Sequence, residues 1–152
     1  MDAVSQAADR IWLVDPFLLK VNDEVQATFS MVFKDALIRT RAQNIRLLTE
    51  GKIGHTDQIA QLKNLERYRQ EHDNPSFKID ITIIRDSKSF VRLPHDRFAI
   101  IDDELWHWGA NVGGTHHLVN AYSRGWSARR TQADRYFDRL WKYAGSINRE
   151  MA

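Results

Sequence analysis

The sequence predicts an α/β domain with a mixed β-sheet flanked by helices, on three observations. Short apolar runs alternate with longer segments whose apolar residues recur every three or four positions. Two strand-like runs meet at an acidic pair suited to a tight turn. No repeat, low-complexity tract or Pro/Gly/Ser-rich linker interrupts the pattern. A chain of 152 residues has the usual size of one domain, which buries about two thirds of its unfolded surface. Residues 1–152 therefore read as a single domain.

The elements follow in order. Ile11 to Phe17 is short, apolar and closed by Pro16, as a buried strand is, and its end at Asp15-Pro16 lies near the carboxyl-edge cleft typical of α/β sites. From Asp23 to about Arg41, Val25, Phe29, Val32, Phe33, Ala36 and Leu37 mark one helical face. Asn44 to Thr49 is strand-like, and Gly51 and Gly54 break the chain after it. Ile59, Leu62, Leu65 and Tyr68 then predict a second helix, capped near Thr56 or Asp57 and ended by Asn74-Pro75-Ser76. Lys78 to Arg85 is β-branched and alternating, a third strand. Arg97–Ile101 and Glu104–Trp108 flank the Asp102-Asp103 turn. After a loop, Ala133, Tyr136, Phe137, Leu140, Trp141 and Ala144 predict a closing helix.

Composition excludes several classes. With 43% hydrophobic and 28% charged residues, the chain is neither disordered nor fibrous in character. It has no cysteine, hence no disulfide, thiolate metal site or Cys nucleophile; a reducing, cytoplasmic setting is the expectation. Met1 to Arg10 has no apolar core of signal-peptide length, and no stretch approaches the roughly 20 apolar residues of a membrane span. The net charge of +2 is small, but arginine outnumbers lysine about two to one. Arg85, Lys88, Arg92 and Arg97 are followed by Arg124, Arg129, Arg130, Arg135 and Arg139. Arginine suits phosphate because its planar fork donates paired hydrogen bonds. Asp134 and Asp138 interleave with the last two, so a salt-bridged solvated face is the competing reading.

The stretch Leu93 to Asn111 carries the chemistry. His95 and Arg97 stand two apart on a strand and project the same way, placing an imidazole and a guanidinium in one small site. That pairing suits a phosphodiester: the cation holds non-bridging oxygens while the imidazole attacks phosphorus or moves a proton. His95-x-Arg97-x4-Asp102, then six residues, then Gly109-Ala110 resembles the His-x-Lys-x4-Asp-x6-Gly-Ser signature of the phospholipase D superfamily, and the strand and helix order with Trp141 resembles its one-motif nucleases. The likeness runs from about Arg10 to Ala144.

What the resemblance implies is a phospholipase D-like half that pairs as a homodimer, acting as a metal-independent phosphodiesterase on DNA or RNA through a phosphohistidine. His95, Arg97 and Asp102 are the implied catalytic residues, with Asp102 supporting the site; Gly109, Asn111, His116 and Arg124 are the substrate-binding candidates. No cofactor, metal or membrane partner is implied. Arginine replaces the usual lysine at Arg97, Ala110 the serine and Val112 the asparagine. These departures leave open the alternative of a catalytically degenerate domain serving nucleic-acid binding or assembly. The short run before the first strand also leaves a larger protein or assembly as a source of the partner motif.

Three further readings complete the set. His107, His116 and His117 could join His95 around zinc, but no second histidine or carboxylate stands at a recognised ligand spacing. Trp106 and Trp108 share a strand face and could stack on unpaired bases, yet packing is the commoner use of tryptophan there. Gly109, Gly113 and Gly114 form no nucleotide-binding fingerprint.

Overall fold

The computed structural model describes residues 2–19, 24–50, 56–84, 97–108 and 122–150. The elements are α1 (Asp2–Gln6), β1 (Arg10–Val14), α2 (Glu24–Arg39), β2 (Asn44–Glu50), α3 (Thr56–His72), β3 (Lys78–Ile84), β4 (Arg97–Ile101), β5 (Glu104–Trp108), β6 (Tyr122–Ser127) and α4 (Ala133–Glu150). The strands form one sheet in the order β3-β2-β1-β4-β5-β6. β1, β2 and β3 run parallel, each linked to the next through a helix. β4, β5 and β6 add on as an antiparallel wing, β4 pairing with the central strand β1. A mixed sheet with helices on both faces is thus what the structure has.

Alternation of side chains divides the core in two. Ile11 and Leu13 of β1, Ile45 and Leu47 of β2, Ile79 of β3, and Ala99 and Ile101 of β4 pack with Phe33, Ala36 and Leu37 of α2 and Leu62 of α3. The intervening residues Trp12, Val14, Leu48, Phe98 and Ile100 point to the opposite face, where α4 closes a second cluster. Phe137 is its centre, stacked at 4.9 Å on Trp12 and edge-on at 6.5 Å to Phe98. Its full burial contributes about 1.5–3 kcal/mol.

Two features were not anticipated. β6 was expected as loop; its run Tyr-Ser-Arg-Gly-Trp-Ser lacks apolar alternation because it is an edge strand whose mid-strand side chains at Arg124 and Trp126 are exposed. Its ladder with β5 shifts register between Leu105 and Trp106, next to Gly125 at φ 101°, a conformation glycine adopts without strain. Arg69 carries the other feature. Its guanidinium is buried and donates to the carbonyls of Leu37, Ile38 and Thr40, which the end of α2 leaves without helical partners. No helix among the described residues is long and apolar enough to cross a membrane.

Candidate functional site

Arg97 opens β4 at the carboxyl ends of the parallel strands. The antiparallel register pairs Val14 with Phe98 and so sets Arg97 beside Asp15, the residue after β1. Asp15 is 3% exposed and accepts the Phe17 N–H at 2.8 Å, a turn that Pro16 favours. Arg97 Nε lies 3.5 Å from Asp15 Oδ1, and its guanidinium carbon 4.5 Å from the Phe17 ring centroid. The arginine side chain is only 11% exposed. A phosphate at this guanidinium would compete with Asp15 and meet its negative charge in a desolvated setting, where repulsion is strong.

Asp102 does not join Arg97. It lies beyond the opposite end of β4, about 17 Å away at the rise of an extended strand. There it opens the β4–β5 turn at φ 55° and its carboxylate accepts the backbone N–H groups of Ala8, Asp9 and Arg10 at 2.8–3.2 Å. The expected support of the site is instead a clasp between the start of β1 and the hairpin. A carboxylate at the end of a strand fits both roles in sequence; only the antiparallel pairing of β1 with β4 brings Arg10 to it.

Arg124 lies on the Arg97 face of the sheet. Arg97 pairs with Trp108, Trp106 stands two residues along β5, and Arg124 pairs with Trp106. The two indoles stack at 5.9 Å, and the Arg124 guanidinium covers Trp106 at 4.5 Å while its Nε approaches Glu104 at 3.6 Å. Trp108 is buried and Trp106 packs against the first cluster, so the tryptophans serve packing. His107 points to the other face, as strand alternation requires. His95, Gly109, Asn111, His116 and His117 lie outside the described residues. Among those described, no group of three or more histidines and carboxylates is placed to hold a metal ion.

A second concentration of cations lies on α4. At about 100° per residue, Arg135, Tyr136, Arg139, Lys142 and Tyr143 fall within about 120° of arc, and all five are exposed. Between Arg135 and Tyr143 no acidic residue lies in that arc. Asp138, on its border, is taken by Arg46 at 3.1 Å, and Arg46 is held over Trp12 and Trp141. Arg129 and Arg130 precede the helix in a turn fixed by Asp103, which accepts the Ser127 hydroxyl at 2.7 Å and the Arg129 N–H at 3.1 Å. The Ser127 bond, then the Arg129 N–H, hold the Asp103 carboxyl below the ordinary carboxylate value. Sequence reading found these arginines but assigned Tyr136 to the buried face; helical spacing marks a face without saying where its border falls. Here Tyr136 is 46% exposed.

No protein-family model and no curated protein matches the chain by sequence. Among solved structures the fold is similar to that of TrmBL2, an archaeal chromatin protein described as showing a novel mode of DNA binding. The TM-score is 0.50 at 11% identity, over 93% of this chain and 46% of that one, so the chain spans less than half of that protein's length. This finding overturns the reading of the chain as a metal-independent phosphodiesterase with a phosphohistidine: the fold neighbour is a protein described by DNA binding, not hydrolysis. The ion pair that occupies Arg97 agrees with that correction.

Proposed function

We propose that the chain is a nucleic-acid-binding domain, a catalytically degenerate half of the phospholipase D-like kind, and that it engages phosphates through the outward face of α4. The observation that carries the reading is the arc of Arg135, Arg139 and Lys142, into which no acidic residue falls from Arg135 to Tyr143, extended by Arg129 and Arg130 in the preceding turn. Guanidinium forks suit phosphate oxygens, and exposed cations on a rigid helix attract a polyanion without ordering a loop. The DNA-binding description of the fold neighbour supports it. Nothing in this reading uses Arg97 as a phosphate clamp.

The test is fluorescence anisotropy with a labelled oligonucleotide over a range of salt concentrations. Affinity is expected to fall steeply with salt, because each neutralised phosphate releases condensed counterions. The double variant Arg135→Gln, Arg139→Gln removes two contacts and is expected to flatten the log–log salt slope by about 1.4–1.8. A variant with unchanged slope and affinity would remove α4 as the interface and the reading with it.

The reading includes a homodimer, since the signature that the sequence resembles works in pairs and one copy stands here. Sedimentation equilibrium is expected to give twice the chain mass at micromolar concentration. A monomer there would delete the dimer while leaving the α4 interface standing.

A further inference from the structure

Resting on the α4 reading above, we infer that the ligand is single-stranded nucleic acid, whose unpaired bases stack on Tyr136 and Tyr143. The orientation of α4 follows from its contacts. Asp138 bonds Arg46, Phe137 stacks on Trp12 and Trp141 on Phe137, and Arg46 lies over both indoles; the Arg46–Trp12 register pair sits at the middle of β1, short of the carboxyl ends of the parallel strands. Tyr136 instead reaches Phe98, which pairs with Val14 at their carboxyl ends. The helix therefore carries Arg135, Arg139 and Lys142 along its outward crest and the tyrosines along the border nearer the carboxyl ends. It presents two parallel tracks, one cationic and one aromatic.

Tyr136 is held from beneath. The Tyr136 ring stacks on Phe98 with centroids 5.9 Å apart and planes 29° from parallel, so one ring face is supported from below. With 46% of the residue exposed, the ring also meets solvent. Tyr143 follows seven positions later, about 10.5 Å up the helix and on the same side, at 45% exposure. Successive cations stand about 4.5–6 Å apart along the axis, a spacing at which long side chains can follow consecutive phosphates. In a duplex the base faces are stacked on one another and closed to such rings. In a single strand they are open, and base–aromatic stacking tolerates any sequence because every base has a π-face. Cations alone would serve either form; aromatic rings set flush beside them favour the unpaired one.

The experiment compares a labelled oligodeoxynucleotide of mixed sequence with the same strand annealed to its complement, using the full chain. The single strand is expected to bind at least about tenfold more tightly. Tyr136→Leu and Tyr143→Leu are each expected to weaken single-strand binding by about fivefold or more and to leave duplex binding unchanged. Tyr136→Phe keeps the ring and is expected to keep the affinity. Circular dichroism confirms folding, and Tyr143→Leu carries the test should Tyr136→Leu disturb the Phe98 stack. Equal affinity for both forms, or single-strand binding indifferent to both leucine variants, overturns the inference alone as long as binding remains salt-dependent. Absence of salt-dependent binding to either form overturns the α4 reading, and the inference falls with it.

Discussion

Asp15→Ala is expected to cost about 3–5 kcal/mol of stability, the range for removing one partner of a buried ion pair. For a domain of this length that is a fall in melting temperature of about 6–20 °C. The reason lies in what the substitution leaves behind. Arg97, 11% exposed, loses the carboxylate at 3.5 Å, and the Phe17 N–H loses its 2.8 Å acceptor. A guanidinium does not shed its proton to escape burial, so the penalty stays with the folded state. Asp15→Asn keeps an oxygen for Phe17 and is expected to cost less. The apolar double variant Asp15→Leu, Arg97→Met is expected to recover stability to within about 1 kcal/mol of the native chain, because both desolvation penalties vanish together. With Asp15→Leu and Arg97→Met also made singly, urea denaturation of the native chain, the two single variants and the double variant gives the coupling energy. If Asp15→Ala melts where the native chain does, the pair is not what holds Arg97 in place.

The second large effect is at Asp102, where Asp102→Ala is expected to cost about 3 kcal/mol. Three backbone N–H groups lose a charged acceptor, and such bonds carry about 1.5–3 kcal/mol each where water cannot replace them. Here the donors at Ala8 and Asp9 are exposed while that at Arg10 is part-buried, so water recovers much of the sum. Alanine at φ 55° adds about 1 kcal/mol of backbone strain that aspartate tolerates better. Asp102→Gly relieves the strain without restoring the acceptor, and Asp102→Asn keeps an acceptor oxygen in the same tolerated conformation, so glycine against alanine isolates the strain and asparagine against glycine the acceptor. The amides of residues 8–10 are expected to lose hydrogen-exchange protection in Asp102→Ala and Asp102→Gly alike. Unchanged urea midpoints would show that the clasp contributes nothing.

The strands that bury both faces or alternate cleanly were legible in the sequence. Lys78–Ile84 was expected to within one residue, and Arg97–Ile101, Glu104–Trp108 and the Asp102-Asp103 turn between them coincide with the structure. Their signal is local, in β-branched alternation and in an acidic pair at a tight turn. The first strand was expected to run to Phe17 but ends at Val14, because Pro16 turns the chain once the Asp15 N–H has reached the Leu48 carbonyl. β6 was missed because an exposed edge strand has no apolar period to display. Tyr68 and Val32 fit a helical face and are nevertheless exposed, as Tyr136 is; periodicity fixes an angle, and only the neighbouring layer decides how wide the buried sector is. The candidate site divides along the same line. That Arg97 would sit with an opposite charge at the sheet's carboxyl edge depends on which strand β4 pairs with, a long-range choice no local pattern encodes. The arginines of α4 were visible; that Arg46 removes Asp138 from their field was not.

The placement of β1 between β2 and β4 constrains the order in which the molecule can be assembled. As the chain leaves the ribosome, β1, β2 and β3 are available as a parallel half long before β4 exists. Until residues 97–101 emerge, the free side of β1, a strand buried at Ile11, Trp12, Leu13 and Val14, is an open ladder of the kind that recruits foreign strands. The clasp at Asp102 closes that window in one event: when the β4–β5 hairpin docks, its turn captures the amides that lead into β1 and seals the seam at the same moment. Asp102 is thus the latch of the β1–β4 seam, formed before β6 and α4 complete the sheet and its second core, and weakening it leaves the edge of β1 open for longer.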